Sequence, residues 1–492
     1  SLPEKLTGDA QTWVNLRLKY THGYGAAMSP VTEFTEEGLP EFFLQDLPPK
    51  GDIALERPEI YYGEKSADFV IVNTLEEEFD YPLGDKPVYT NYAGDGGVQT
   101  SNMLRKLAYA WEFGDINILI SDALTNESRI QYHREIQDRV KMVAPFLQLD
   151  EDPYLVVADS ALWWIQDAYT TTALYPYSNP MGKEFNYARN SVKIIISAYD
   201  GSMRFYATDN EEPLLKNYRN IFPTLFLPFE QIPQSIAPHV RYPVDLFKWQ
   251  SEAYLQYHME NPDVFYNKED QWSTPNEVFF LEEQSPMEPY YVTMKLPGEE
   301  SEEFVLILPF TPYERENMVA WFAARNDGEN YGKLLTFVFP RGSQVFGPEQ
   351  IEARINNDEH IASQFTLWES TANVLRGNLL VIPIADSLLY AEPVYLQAPN
   401  LEFPELKAVI LADAKRVTMQ SSLEKALLAL FDGSESSQQT TVISSETEVG
   451  AMTSFKQRLQ DVRQLIVNLQ EEFTTLENAL DTIETTQKET NP

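Results

Sequence analysis

No cysteine occurs anywhere in the 492 residues. That excludes disulfides, thiol nucleophiles and cysteine-ligated metals. Bases are scarce, since 37 Lys and Arg stand against 75 Asp and Glu, a formal net charge of −38. Such a field repels polyanions and no basic cluster offsets it, so nucleic acid is not an expected partner. Adhesion to anionic lipid headgroups is opposed for the same reason. Long apolar runs are missing too. The strongest, such as FVLILPF, have strand length and fall far short of the ~18 residues of a bilayer span. The chain starts SLPEKL, without Met, a basic segment or an apolar leader, and is expected to be a processed form or an excised soluble part. GxSxG, P-loop and HExxH motifs are absent. Gly94, Gly96 and Gly97 in GDGGVQ lack the spacing of a dinucleotide loop.

What is present is ample for a core. Hydrophobic residues make up 43%, and a prior of ~150 residues per domain suggests roughly three units. DAQTWVNLRLKY reads as a helix stopping at His22-Gly23, followed by strands in EIYYGE and ADFVIVNT and a loop over DYPLGDKPVYTNYAGDGGVQ. Helices are expected at 102–113 and 127–144, the second with Ile130, His133, Ile136 or Gln137, Val140 and Val143 on one face. LVVAD and LWWIQDAYT then flank a turn around Ser160. SVKIIISAYDGSMRFYATD reads as a hairpin with a tight primed turn at Asp200-Gly201.

EPLLKNYRNIF and PVDLFKWQSEAYLQYHMENPDVFYN read as helices, and 268–288 as acidic and irregular. Strands YYVTMKL and EFVLILPF follow, then a helix at 315–325 and the strand KLLTFVFP. GPEQIEARINND up to Trp368 is helical. NLLVIPI, LYAEPVYLQA, LKAVILA and KRVTMQ are strands, and SSLEKALLALFDG is a short helix. Helices and strands mix without a βαβ pattern or a period of roughly 20–50 residues. The fold class is therefore α+β: mixed, mainly antiparallel sheets with interspersed helices, plus a C-terminal coiled-coil helix. The core divides into a first part at 1–285 and a second at 286–432. A Ser/Thr-rich linker at 433–452 leads to a coiled-coil helix at 453–487.

That last helix carries Phe455, Leu459, Val462, Ile466, Leu469, Phe473, Leu476, Leu480 and Ile483 in alternating steps of four and three. Over 453–486 it would be roughly 50 Å long. The heptads predict self-association into a homo-oligomer, with packing back on the core as the alternative.

Candidate chemistry is sparse. The five histidines (His22, His133, His239, His258, His360) have no ligand-like spacing. His133 falls on an apolar helix face and reads as a core histidine, while His22 lies in a glycine-rich turn. Asp150 and Asp152 in DEDPY, Asp209 in DNEE and Asp327 in NDGEN are weak calcium candidates. None meets EF-hand spacing, and an acidic composition alone produces such clusters, so no cofactor is expected beyond that. Were the chain a hydrolase using paired carboxylates, Asp150, Asp152 and Asp167 would be the candidates, and the expected site is the rim of Asp150 to Asp152 beside Tyr169 and Thr170. Aromatics, 13% of the chain, leave glycan or lipid binding open. Trp163 and Trp164 are adjacent on a strand, so they must point to opposite faces.

Five runs carry a resemblance. THGYGAAMSPV, EGLPEFFLQDLPP, APFLQLDEDPYLVVAD…WWIQDAYTT, NYARNSVKIIISAYDGSMRFYATD, and PFTPYERENMVAWFAARNDGENYG continuing to GPEQIEARINND together resemble uncharacterised protein family 0182. The likeness runs in order from about Trp13 to Ala398. It implies the large soluble region of a multi-span membrane protein, lying outside the cytoplasmic membrane (periplasmic or extracellular) and joined to it through N-terminal transmembrane helices. It carries no assigned activity. The departures are small: Ala158-Asp159-Ser160-Ala161 where a turn glycine is expected, and Ser197 where an Asp is usual. The expectation is thus a non-catalytic binding or assembly module, with an envelope-active hydrolase or a glycan- or lipid-binding domain as alternatives.

Overall fold

The computed structural model describes residues 8–431 apart from 31–34, 36–39, 67, 85, 181–183, 280–282, 341, 343, 385–386 and 399–403. The Ser/Thr-rich stretch and the heptad run, Phe455 to Ile483 included, lie outside the described residues. The α+β expectation holds: mainly antiparallel sheets alternate with helices.

The N-terminal part is a patchwork of short pairings around a small core of Leu18, Ile71, Ala110, Ile118 and Ile130. It contains a hairpin, β1 (Glu78–Leu83) and β2 (Lys86–Thr90), where the sequence suggested only loop. Pro82 and Pro87 face each other there, tolerable in a two-stranded ribbon that needs no further ladder bonds. Helices α1 (Met103–Glu112) and α2 (Asn117–Ile120) follow. Asn102 starts α1 by accepting the Arg105 N–H, as a good N-cap should.

The helix expected over 127–144 is half strand. Arg129–Gln131 forms β3, paired with Val70–Val72 and Val98–Gln99. His133 takes a left-handed φ of 47°, which breaks the period, and α3 is confined to Ile136–Val143. His133 is exposed, not the core histidine the helical face implied.

Three sheets then share one plan. The first has β4 (Gln148–Leu149), β5 (Tyr154–Ala158), β6 (Ala161–Thr172), β7 (Tyr187–Ser197) and β8 (Met203–Ala207), with β9 (Phe226–Pro228) parallel to β8 beyond helix α4 (Pro213–Ile221). Strands β5 to β8 form a meander. The short β4, which precedes it, pairs with the far end of β6 at Ala168 and Tyr169. Helices α5 (Val244–Tyr257) and α6 (Pro262–Asn267) lead to the second sheet. There β10 (Trp272–Ser273) pairs with the far end of β14 (Glu302–Pro312), within a meander of β13 (Tyr290–Lys295), β14, β15 (Ala320–Arg325) and β16 (Leu334–Val338). A separate hairpin of Asn276–Phe279 with Glu283–Pro286 fills what read as irregular.

Helices α7 (Pro348–Asn357) and α8 (Glu359–Glu369) precede the third sheet. In it β17 (Asn373–Arg376) pairs with the far end of β19 (Ser387–Gln397), in a meander of β18 (Leu380–Ile384), β19, β20 (Glu405–Ala412) and β21 (Val417–Gln420), closed by helix α9 (Leu423–Phe431). The chain thus repeats one architecture at spacings too long and uneven to leave a sequence period.

Strand β15 replaces an expected helix. Its residues AWFAAR are all buried between β14 and β16, so no polar alternation marks it as a strand, and its alanines read as helix formers. Within the first sheet, Trp164 packs into one face with Ile194 and Phe205, and Trp163 lies half-buried on the other with Ile165 and Ile195. The opposite-face expectation for the tryptophan pair is met. The two-residue turn at Asp159 (φ 51°) and Ser160 (φ 56°) is left-handed at both positions, the primed geometry a hairpin twist favours. At Asp200-Gly201 the turn is wider than expected: Ser197 N–H donates to Ser202 O at 3.0 Å and Gly201 N–H to Ser197 O at 3.0 Å, and there only Gly201 is left-handed.

Residues Ser1–Asp432 form one compact unit. Tyr242, Phe247 and Trp272 join the core shared by the second and third sheets, so the α5 segment contributes to packing on both sides of residue 285.

Candidate functional site

The carboxylates singled out in the sequence gather where the β6–β7 ladder meets α5. Asp150, just after β4, donates its N–H to Asp167 O at 3.0 Å. Its carboxylate accepts the Tyr169 hydroxyl, the Asp152 N–H at 3.1 Å and the Asp245 N–H at 3.2 Å. The last bond has a clear cause. Helix α5 begins behind Pro243, which has no side-chain cap to offer, and the exposed helix N–H groups need an acceptor. Asp150 supplies it from 95 residues away. Asp245 reciprocates by accepting the Glu151 N–H at 3.0 Å.

Asp167 faces Lys193 across the β6–β7 register and forms a buried ion pair with it. Asn190 also donates to Asp167, at 2.9 Å. Lys193 further donates to Arg241 O at 2.8 Å, which also accepts the Tyr331 hydroxyl at 3.2 Å. The Arg241 guanidinium sits 3.9 Å over the Tyr154 ring and 5.1 Å from that of Tyr291. Tyr242 N–H donates to Asn326 at 2.6 Å, and Tyr242 O accepts the Tyr291 hydroxyl at 2.6 Å. Residues 241–242 are therefore gripped by side chains from both the first and second sheets.

Charge here is held at a cost. Burial pushes the Asp167 carboxyl up, with Lys193 pulling it back. Burial and then the nearby Asp150 charge push Asp245 up to about 6. Burial, Asp150 and Asp167 push the Tyr169 phenol well above its ordinary range. Asp150 and Asp167 are each only 3% exposed, and protein donors occupy the oxygens a substrate would need. Asp152 stays exposed. The candidates for paired-carboxylate chemistry are thus brought together, but inside a joint and not on a cleft. Thr170, also on the proposed rim, is buried and bonded to Ser191 at 2.6 Å.

The other acidic candidates are engaged locally. Asp209 accepts the Glu211 N–H at 2.9 Å and lies 3.5 Å from Arg189. Asp327 accepts the Phe304 N–H at 2.8 Å. Among the described residues no group of three or more His, Asp or Glu side chains is arranged to hold a metal ion.

His22 is buried in a carboxylate clamp, with Nε2 3.4 Å from Asp80 and Nδ1 3.7 Å from Glu78. Burial alone would push its pKa down, but Asp80 and Glu78 outweigh it and the imidazole ends above its ordinary value. Glu78 is itself held by the Tyr61 hydroxyl and the Tyr92 N–H, each at 3.0 Å. The clamp ties the segment around Thr21 to the β1–β2 hairpin and has no opening to solvent at the imidazole.

An open concavity lies further along α5. Trp249 packs on Tyr169 and Phe185, at 4.8 and 5.0 Å between ring centres, and carries the joint towards a cleft of about 320 Å³. Tyr175, Pro176, Tyr177, Ser178 and Asn179 from the β6–β7 connection line it, with Ala253 and Tyr257 from α5. One side chain builds this loop. Asn186 accepts the Tyr175 N–H at 3.0 Å and donates to Tyr175 O at 2.8 Å and Ser178 O at 3.2 Å. Ser178 returns a bond to Asn186 O at 2.7 Å. Tyr175 stacks on Tyr187 at 5.3 Å, while Tyr177 is fully exposed in a left-handed conformation, φ 59°. Such strain in a bulky residue persists only where surrounding bonds impose it.

Reading the sequence missed Lys193, Asn190, Asp245 and Asn186. The signal for Lys193 was there: a lone cation inside SVKIII demands a buried partner.

Comparison with known proteins gives a family and no activity. Residues 2–368 match the model of Uncharacterised protein family (UPF0182). The chain is 54% identical over 431 residues to a UPF0182 protein of Pelotomaculum thermopropionicum, covering 87% of this chain and 47% of that protein. It is 48% identical over 460 residues to one of Trichodesmium erythraeum, covering 89% and 50%. With one of Methanospirillum hungatei it shares 46% identity over 447 residues, covering 89% and 50%. The chain spans about half the length of the curated relatives it matches. No solved structure matches it.

Proposed function

The chain belongs to Uncharacterised protein family UPF0182, and on that premise we propose that it is the extracytoplasmic region of a multi-span membrane protein and acts as a binding or assembly module. The observation that carries the binding role is the contrast along α5: the carboxylates at its start are saturated by protein donors, whereas the exposed rings of Tyr257 near its end and Tyr177 of the β6–β7 connection line a cleft. A hydrolase needs a carboxyl pair that water and substrate can reach. A binding site needs a preformed surface, and Asn186 builds one.

A second reading is favoured by the lining itself. The exposed rings of Tyr177 and Tyr257 suit stacking on a neutral sugar ring. The strong negative charge argues against an anionic ligand at the same place. Self-association through the 453–487 helix remains part of the proposal, checked by sedimentation with and without residues 433–492.

The test of binding compares the full chain with Tyr177→Ala/Tyr257→Ala. Each is immobilised and exposed to envelope extract and, separately, to neutral cell-wall oligosaccharides. Loss of retention in the double variant supports the cleft. Equal retention, or none by either protein, defeats it. The location is tested by protease accessibility of this region in spheroplasts, and protection would count against it.

A further inference from the structure

The β1–β2 hairpin pairs with no other strand among the described residues, so side chains attach it to its surroundings. At its root Glu78 accepts the Thr21 hydroxyl, the Tyr61 hydroxyl and the Tyr92 N–H. Two residues on, Asp80 has one ion-pair partner among the described residues, Nε2 of His22 at 3.4 Å. Phe79 and Tyr81 add ring contacts to Tyr20 and Tyr24, at 5.3 and 4.9 Å between centres. These bonds fix the charge of His22. The one hydroxyl proton of Thr21 goes to Glu78, so towards Nδ1, 3.0 Å away, that oxygen can only accept. Nε2 faces a carboxylate, which accepts as well. Both ring nitrogens therefore need a hydrogen, and only the imidazolium has two. The imidazole is fully enclosed, so its proton leaves as the hairpin lifts.

We propose that His22 is a proton-operated latch: as the imidazolium it holds Asp80 and the β1–β2 hairpin shut, and on losing its proton it lets the hairpin swing out about Glu78. The fixed side stays in place, because Arg134 donates to both Tyr61 O and Thr21 O. Glu78 keeps its three donors in either state, so the root holds while the outer part moves. The neighbouring acids drive the opening. Glu59, on the strand paired with Gly23–Tyr24, has a buried carboxyl oxygen without a partner. Burial and then Asp80 push that carboxyl up, while His22 and Arg57 pull it back. Without the His22 charge, Glu59, Glu78 and Asp80 repel one another, with Arg57 beside Glu59 and Arg134 beside Glu78 as the cations left. Tyr24 and Tyr61 are both pushed up, first by burial and then by Asp80 and Glu78 respectively, and stay neutral. For His22 itself burial acts downward, but Asp80 and Glu78 carry it above its ordinary 6.5. The stabilisation is therefore full below about pH 6.5 and is lost as pH rises through the higher folded value. Opening uncovers the rings of Tyr20 and Tyr24. The latch shares no residue with the cleft on α5, and either can exist without the other.

The test is amide hydrogen exchange on the full chain at about pH 6 and about pH 8.5, read by mass spectrometry and corrected for the intrinsic rate at each pH. Peptides over residues 78–90 should lose roughly tenfold in protection between the two, while those over β6 and β7 keep theirs. His22→Gln cannot gain a charge, so its hairpin should exchange at the parent's high-pH level throughout. Should that buried substitution unfold the unit, Asp80→Asn serves instead. It lies on the more open side of the pair, and it should leave the hairpin unprotected already at pH 6 with β6 and β7 intact. Three results overturn the proposal. One is equal protection of residues 78–90 in the parent at both pH values. Another is a pH dependence that survives in the variants, which would assign it to Glu59. The third is a loss of protection shared by β6 and β7, which would be unfolding of the unit and not release of one arm.

Discussion

Asp167 and Lys193 stand opposite each other in the β6–β7 register and form an ion pair shut away from solvent. The same device recurs in the other two sheets. Glu303 on β14 pairs with Arg325 on β15, and Glu392 on β19 with Arg376 on β17. In every sheet the long strand that holds the meander contributes the acid. A buried pair costs desolvation and adds little net stability, but breaking it leaves one charge stranded.

Replacing Lys193 with Met should therefore destabilise the unit by about 3–5 kcal/mol. Pairing it with Asp167→Leu should recover most of the loss. Urea unfolding measures both. A single variant within 1 kcal/mol of the parent would show that Asn190 alone satisfies Asp167.

Asp245 gives a pH signature. Its folded pKa of about 6 lies above the ordinary 3.8, so the native state holds its proton more tightly than the unfolded chain. The stability this gives is full below about pH 4 and is lost as pH rises through 6. Asp245→Asn keeps an acceptor for the Glu151 N–H without the charge. It should be the more stable protein at pH 7–8 by on the order of 1 kcal/mol, after allowance for solvent screening, and equal to the parent near pH 4. A melting-temperature series over that range decides it, and a pH-independent difference would contradict the assignment.

Gly201 should tolerate no side chain. Its φ is 69°, and a Cβ there would stand 2.6 Å from the Tyr62 ring. Gly201→Ala should cost about 1–3 kcal/mol from strain and overpacking. An unchanged melting temperature would mean that Tyr62 moves aside freely.

Tyr177→Gly should separate stability from binding. Glycine adopts the left-handed conformation without penalty, so the variant should melt no lower than the parent. It removes the exposed ring, so retention of ligand at the cleft should fall. A variant that melts lower while binding normally would show Tyr177 to be a structural residue.

How much of this was legible depended on the signals flanking each strand. Tyr154–Ala158, packed on both faces, was readable because a turn at Asp159-Ser160 bounds it. Ala320–Arg325, dry on both faces, carried no period and read as helix. Proline hid the hairpin at Glu78–Leu83, and the left-handed His133 hid the break between β3 and α3. The acids at Asp150 and Asp167 were visible as residues. Their roles were not, because Asp245 and Lys193, which define them, are set by tertiary contacts. The cleft was invisible for the same reason: Tyr177 and Tyr257 are 80 residues apart in sequence and share a wall only after α5 docks.

The plan shared by the three sheets has a kinetic consequence. In each, the short strand that comes first in the chain pairs with the distal end of a strand made later: β4 with Ala168 and Tyr169, β10 with Thr311 and Pro312, β17 with Val394 to Gln397. The meanders can zip through neighbouring hairpins, whose contacts are local and quick to form. The leading strands have to wait for them, and each then closes a sheet as its last piece. On unfolding they should be the first to peel, and their amides the earliest in each sheet to exchange with solvent. These latches would open the sheets one at a time, leaving the meanders intact behind them.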